Sequence, residues 1–286
     1  MNSVLVTGLA RDVGKHIIRE VERINKQMEK TFSEINYLII ESDSQDDTLQ
    51  KLKTLQDKYI NFEYISLNKL EPLYPDRIKR LTLCRNQYVH QIRSNPKYKG
   101  TEFVSVIDFD IRNNRLNLKV LNDWISRDNW YGLFTNQTGF YYDIYALRSV
   151  NWCEKDCFDE YRELSKYLPA KDAKNKAIWS KMKKISKYSK PIEVKSAFGG
   201  LALYKKEIFL KYDYTNLDNS INQSEHVVLH EKVEGNVGKM WIVPSLTNFS
   251  WNPHNLSKFR VIRILDNFTQ KQIFKKIRVF IRYLLF

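Results

Sequence analysis

Short apolar runs alternate with stretches in which apolar residues return every three or four positions, and this alternation fills the first 110 residues. Residues 4–7 predict a strand. Val13, Ile17, Val21, Ile24 and Met28 then repeat at intervals of four and three, which predicts a helix beginning soon after residues 8–12. A second strand is expected over 37–40. Ser44, with Asp47 three residues on, predicts a capping arrangement for the helix that follows. Residues 61–67 predict a third strand, Ile78, Leu81, Cys84, Tyr88 and Ile92 another helix, and residues 103–107 a fourth strand. Strands separated by whole helices are joined by crossovers rather than hairpins, so the pattern predicts an α/β fold with a mostly parallel central sheet flanked by helices.

Beyond residue 110 the texture changes. Residues 130–136 and 141–147 read as strands, and residues 151–190 as a Lys-rich helical insertion. Near the carboxyl end, Ile273, Ile277, Phe280, Ile281 and Leu284 share one helical face, while Lys271, Lys275, Arg278 and Arg282 lie opposite. Such a helix lies on an anionic membrane surface with its apolar side in the headgroup boundary, or packs on the protein with its charges in water, or meets a partner helix.

Composition narrows the class. With 286 residues, 43% of them hydrophobic and 13% aromatic, the chain can bury a large core. No apolar stretch reaches the roughly 18 to 20 residues of a membrane span, and the first residues read as a strand with no basic segment and signal core, so a cytoplasmic protein is expected. Cys84, Cys153 and Cys157 are too sparse for a disulfide framework or a zinc site and are expected as free thiols. The excess of 47 basic over 33 acidic residues, a formal charge of +14, suits nucleic acid, anionic membrane or phosphorylated substrates.

The candidate chemistry begins at Asp108-Phe109-Asp110, which stands where the fourth strand ends. Ligands of open α/β sheets bind at that edge, and two acids one residue apart there can converge on a hard divalent cation that also holds phosphates. Strand-end acids also serve turns and helix caps, and that alternative remains open. Gly199-Gly200 spends two of only nine glycines side by side, which suits positive φ, a close ligand, or simply a bulge. Downstream come Glu225-His226 with His230, and His254 in an Asn-Pro-His-Asn turn. His226 and His230 are expected to pack rather than react.

In order, Thr-Gly-Leu-Ala-Arg-Asp at 7–12, Glu-Ser-Asp-Ser at 41–44, an Arg-rich helix, Asp-Phe-Asp, Phe-Gly-Gly at 198–200 and Glu-His at 225–226 make the chain resemble GT-A glycosyltransferases. More narrowly, it resembles the group related to the cryptococcal capsule-associated mannosyltransferases, over most of residues 1–255. The resemblance implies a single GT-A, Rossmann-like domain over 1–265, with a nucleotide-binding half (1–110) and an acceptor half (111–265), followed by the basic helix 266–286. It implies transfer of a sugar from a UDP- or GDP-sugar donor to a glycan or lipid-linked glycan, with Mn²⁺ or Mg²⁺ as cofactor. Asp110 and Asp108 would hold the metal with His254 as a third ligand, Asp108 also contacting ribose or metal-bound water. Ala10, Arg11, Asp43, Arg80 and Arg85 would bind the donor, and Gly199 and Gly200 would line donor and acceptor. Glu225 would act as general base toward the acceptor in an inverting enzyme, or orient it in a retaining one. Lacking the membrane anchor of the fungal enzymes, the chain is expected to work at the inner face of the cytoplasmic membrane in surface polysaccharide synthesis.

Two rivals are weighed. A sugar-phosphate nucleotidyltransferase would show a glycine-rich, basic first loop, and residues 8–15 are poor in glycine. A basic nucleic-acid-binding protein would use its charge for counterion release, but no recognisable module appears and no nucleic acid is expected as partner.

Overall fold

The computed structural model describes residues 2–110, 116–216, 223–233 and 239–248; His254 and the basic segment 266–286 lie outside them. The strands β1 (Ser3–Ala10), β2 (Glu34–Glu41), β3 (Phe62–Ser66) and β4 (Phe103–Ile107) run parallel and are joined by α1 (Ile17–Met28), α2 (Thr48–Lys58) and α3 (Arg77–Ser94). After α4 (Asn122–Ile125) come β5 (Trp130–Gln137), α5 (Cys157–Leu164), α6 (Ala170–Ala177), β6 (Ile192–Val194), β7 (Leu201–Lys205), α7 (Glu207–Lys211), α8 (Glu225–Val233) and β8 (Lys239–Asn248). All eight strands form one sheet in the order β3-β2-β1-β4-β7-β5-β8-β6. β7 and β6 run against their neighbours, and the other six strands share one direction.

Alternate residues of the central strands feed two cores, one on each face, because successive side chains of a strand point to opposite sides. Leu5, Leu38, Ile40, Val104 and Val106 pack with Cys84, Tyr88, Val89 and Ile92 of α3. Val4, Val6, Ile39, Phe103 and Ile107 pack with Ile17, Val21, Ile24 and Met28 of α1 and with Leu52 and Leu55 of α2. Burial on both faces is why β1 and β4 read as unbroken apolar runs instead of alternating ones. The four parallel strands all end on one edge, where Asp108 directly follows β4.

The structure corrects several local expectations. Residues 141–147 form no strand; they make an irregular segment whose neighbours Phe140 and Arg148 bridge only singly to Lys184 and Ser196. Of the expected helical insertion 151–190, the α-helical parts are α5 and α6, eight residues each. The cap of α2 is not formed by Ser44 and Asp47: Asp46 accepts from the Thr48 N–H (2.9 Å) and hydroxyl with one oxygen, and from the Gly14 N–H (3.0 Å) with the other. Ser44 instead accepts from the Asp12 N–H at 3.2 Å, across the neighbouring strand end. All three cysteines are free and buried, as expected.

The Asp46 contacts tie the β1–α1 loop to the start of α2. Desolvation there opposes ionisation, but the bonds from Thr48 and Gly14 outweigh it and hold the carboxyl below its ordinary value. An acid lowered in the folded state stabilises it above the ordinary carboxylate range, and that contribution is lost as pH falls through the lowered value. Asp46→Ala is therefore expected to cost about 1 to 2 kcal/mol in urea unfolding at pH 7. The deficit should shrink below about pH 4; a deficit unchanged down to pH 3 would show that the carboxylate is not its source.

Candidate active site at the carboxyl edge of the sheet

Asp108 follows β4 directly, and its N–H donates to the Gly200 carbonyl at 2.9 Å, extending the antiparallel β4–β7 ladder by one step. Gly199 and Gly200 stand at φ of +76° and +88°, conformations that L side chains rarely adopt. The turn they make exposes the Gly199 N–H to the Asp143 Oδ2 at 3.1 Å and its carbonyl to Thr135 Oγ1 at 2.8 Å and Gln137 Nε2 at 2.6 Å. One glycine pair thus fixes Asp108 through its backbone and Asp143 through its side chain.

Asp110 follows two residues after Asp108. The Asp108 carboxyl is pushed well above the usual range, first by desolvation and then by Asp110, with Asp143 and Glu225 adding to it and Arg85 opposing. The Tyr142 phenol is likewise pushed up, by desolvation and then by Asp108, Asp143 and Asp110. Asp143 and Tyr142 escaped the sequence reading because they were assigned to a strand, where side-chain chemistry draws no attention. His16, also unremarked, donates through Nε2 to the Phe109 carbonyl at 2.9 Å; a carbonyl can only accept, so that nitrogen carries the proton.

Behind Asp108 lies a buried cation. Arg85 of α3 donates through Nε to Glu225 Oε1 of α8 at 2.9 Å, with side chains 5% exposed on both sides, and its Nη2 stands 3.9 Å from Asp108 Oδ1. The guanidinium lies over the Phe198 and Tyr214 rings, 5.7 Å from each centroid. Arg85 and Glu225 are therefore engaged with each other within the core. Glu225, expected to face an acceptor hydroxyl, here holds an arginine.

His226 and His230 occupy one face of α8 and are fully within the core, as their expected packing role requires. His226 stacks on Phe198 with ring centroids 4.0 Å apart, and burial with Arg85 nearby keeps it neutral. His230 spans Ser196 Oγ (2.8 Å) and Tyr204 OH (2.9 Å), and burial pushes it down to about 3.

The remaining expected donor ligands gather along the same edge, around a residue that the sequence reading did not single out. Glu71 accepts from Arg11 Nη2 at 2.8 Å with one oxygen and stands 3.4 Å from Arg80 Nη2 with the other, while its N–H donates to Asp43 Oδ1 at 2.8 Å. Arg80 is buried and donates through Nη1 to the Tyr74 and Pro75 carbonyls, so its fork orders the loop that precedes α3. Ala10 is buried at the end of β1 opposite Glu41. Asp12, Asp43 and Asn68, each following a different strand, all have positive φ, between 53° and 62°. Side-chain carbonyl groups make that region tolerable for Asp and Asn, and such backbone clusters where loops are shaped for ligands. A signal for Glu71 existed in principle, as an acid between two basic residues in space, but only the fold brings Arg11 and Arg80 together.

Among the described residues no three His, Cys, Asp or Glu side chains stand close enough to hold an ion by themselves. His254 lies outside the described residues.

Comparison with protein-family models and with curated protein sequences gives no match. Among solved structures, the chain is similar to the mannosyltransferase PcManGT from Pyrobaculum calidifontis, a structure in complex with GDP-Man and Mn²⁺, at 12% identity and a TM-score of 0.49, over 87% of this chain and 57% of that one. It is also similar to S. aureus TarS, residues 1–349, in complex with UDP-GlcNAc, at 14% identity and a TM-score of 0.47, over 89% of this chain and 60% of that one. The TarS complex with UDP gives 13% identity and a TM-score of 0.48, over 92% and 64%. The chain thus spans less than two thirds of the length of these structures.

Proposed function

We propose that the chain transfers a sugar from a nucleotide-diphosphate donor to a hydroxyl of a glycan or lipid-linked glycan, with Mn²⁺ or Mg²⁺ held at Asp110 and Asp108. The observation that carries this reading is that Asp108 and Asp143 are both anchored to the Gly199-Gly200 turn where β4 ends, with Asp110 two residues on. The Asp108 carboxyl is pushed above its ordinary value first by desolvation and then by Asp110, so its charge lacks compensation. A divalent cation supplies it, and carboxylate oxygens are the hard donors that Mg²⁺ and Mn²⁺ take. The donor set fits such an ion with two protein carboxylates, leaving the remaining positions to diphosphate oxygens and water. When bound, the ion supplies neutralisation of the charge that develops on the departing diphosphate.

The protein's own groups then divide the work. The loop ends carrying Arg11, Asp43 and Glu71 flank the nucleoside side of the edge, and the Gly199-Gly200 turn admits the donor close to backbone. Asp143, anchored by the Gly199 N–H, borders the acceptor side. The basic segment 266–286 completes the reading: its charge favours the anionic inner face of the cytoplasmic membrane, where a lipid-linked acceptor is presented. Among the described residues no helix is long and apolar enough to cross a membrane.

The test is nucleotide release from a panel of UDP- and GDP-sugars, with and without Mn²⁺. Metal-dependent turnover of one donor is the expected result, and no binding or turnover of any donor would sink the proposal. A narrower prediction concerns Glu71, whose carboxylate occupies the Arg11 fork that a phosphate would need. Glu71→Gln is expected to tighten donor binding by up to about fivefold in calorimetric titration, since an exposed pair of this kind is worth at most about 1 kcal/mol. Unchanged or weaker binding would remove Arg11 from the donor site.

A further inference from the structure

Arg85 presents a problem that the proposed chemistry leaves open. It is a permanently charged group inside the core, and its Nη1 has no hydrogen-bond partner among the described residues. Burying an ion pair stabilises a fold weakly or not at all compared with apolar side chains of similar volume, so its presence asks for another reason. The geometry supplies one. The Nε–H is held by Glu225, the plane is set by Phe198 and Tyr214, and the remaining edge, Nη2, is turned toward Asp108 at 3.9 Å. At that separation the contact is an ionic attraction without being a hydrogen bond, and it acts on the orientation of the Asp108 carboxylate. The backbone of Asp108 is pinned separately, by Gly200.

We infer that Arg85 and Glu225 are positioning residues: Glu225 fixes the Arg85 guanidinium, and Arg85 sets the orientation of the Asp108 carboxylate. The inference rests on the reading of Asp108 and Asp110 as the diphosphate–metal site. Neither residue touches substrate. Glu225 is not the acceptor base, because its Oε1 is committed to Arg85 and the side chain is 5% exposed. Without Arg85, the repulsion from Asp110 and Asp143 turns Asp108 away, and the two motif acids no longer address one ion.

Two variants separate these roles. Glu225→Gln keeps an oxygen acceptor for the Arg85 Nε–H but cannot take a proton; it is expected to lower kcat by no more than about tenfold. A loss above a thousandfold, with Mn²⁺ and donor affinity intact, would make Glu225 the base and overturn the inference. Arg85→Met alone would strand a buried carboxylate, so the second variant is Arg85→Met with Glu225→Leu, which removes both charges and keeps the volume. Its thermal midpoint is expected to match or exceed that of the parent, while Mn²⁺ affinity in the presence of UDP or GDP, read by calorimetry, falls at least tenfold. Parental Mn²⁺ affinity in the double variant would overturn the inference. The Asp108 rotamer in a crystal structure of the double variant, compared with the parent, needs no donor: a changed rotamer supports the role of Arg85, and an unchanged one ends it, whether or not the protein transfers a sugar. Failure of the parent to bind any metal or donor, by contrast, would strike the proposed function and leave the rotamer comparison to decide the orientation.

Discussion

Asp108→Asn is expected to lower donor turnover by about a hundredfold to a thousandfold, while leaving the fold as stable as the parent or more so. The two effects have one source. The carboxylate is raised by desolvation and by Asp110, so its ionised form opposes folding even as it serves the site. An acid raised in the folded state binds more protons there than when unfolded, between its ordinary value and the raised one. Across that window the stability it contributes falls as pH rises. Asparagine has nearly the same shape and no charge, so the variant loses this slope, and its stability relative to the parent should climb from pH 4 toward neutrality in urea titrations under EDTA. Activity moves the other way, because a neutral amide is a poor ligand for a hard cation and contributes little to holding a leaving diphosphate; losing one such electrostatic contact typically costs two to three orders of magnitude. Nucleotide release under saturating Mn²⁺ checks the first effect. A variant that is both inactive and destabilised by more than about 2 kcal/mol would mean that Asp108 is a structural turn residue.

The strand end at which Asp-Phe-Asp stands was legible in the sequence, while its surroundings were not. β1 and β4 are buried on both faces, and unbroken apolar runs announce such strands; the acids at the end of β4 therefore announced their edge. The alternation of strand and helix through α3 rests on local spacing alone, which a sequence displays directly. By contrast, β7 enters between β4 and β5 in the opposite sense, and that placement depends on pairings such as Ile107 with Leu201 that join distant stretches. Residues 141–147 carry aromatic residues at strand-like density, yet their backbone is given over to presenting Tyr142 and Asp143 to the acids. Glu225 was legible as an acid near the site, but its partner lies 140 positions away on another helix. Arg80 and Arg85 look alike on α3, and only the contacts distinguish them: one orders a loop and the other stands behind Asp108.

Gly199→Ala should damage both the fold and the acids held at this edge. At φ of +76°, a Cβ strains the backbone by roughly 1 to 2 kcal/mol wherever it points. Here it points into structure: an ideal Cβ would lie 2.6 Å from the Thr135 carbonyl oxygen and 3.1 Å from its Oγ1. The carbonyl belongs to β5, which is hydrogen-bonded in the middle of the sheet, so it cannot swing aside as a flexible side chain would. Overpacking of this kind adds about 1 to 3 kcal/mol, for a total of about 2 to 5 kcal/mol in urea or guanidinium unfolding. The functional loss should exceed what destabilisation explains at temperatures where the variant is still folded. Displacing the turn pulls the Gly199 N–H from Asp143 and the Gly200 carbonyl from the Asp108 N–H, so both acids lose their anchors in one step. Mn²⁺ affinity in the presence of nucleoside diphosphate, measured on folded protein at low temperature, should therefore fall at least tenfold. Thr135→Ser, which keeps the hydroxyl and removes only a methyl, should leave metal affinity unchanged, and parental Mn²⁺ binding in a folded Gly199→Ala protein would show that the acids do not depend on this turn.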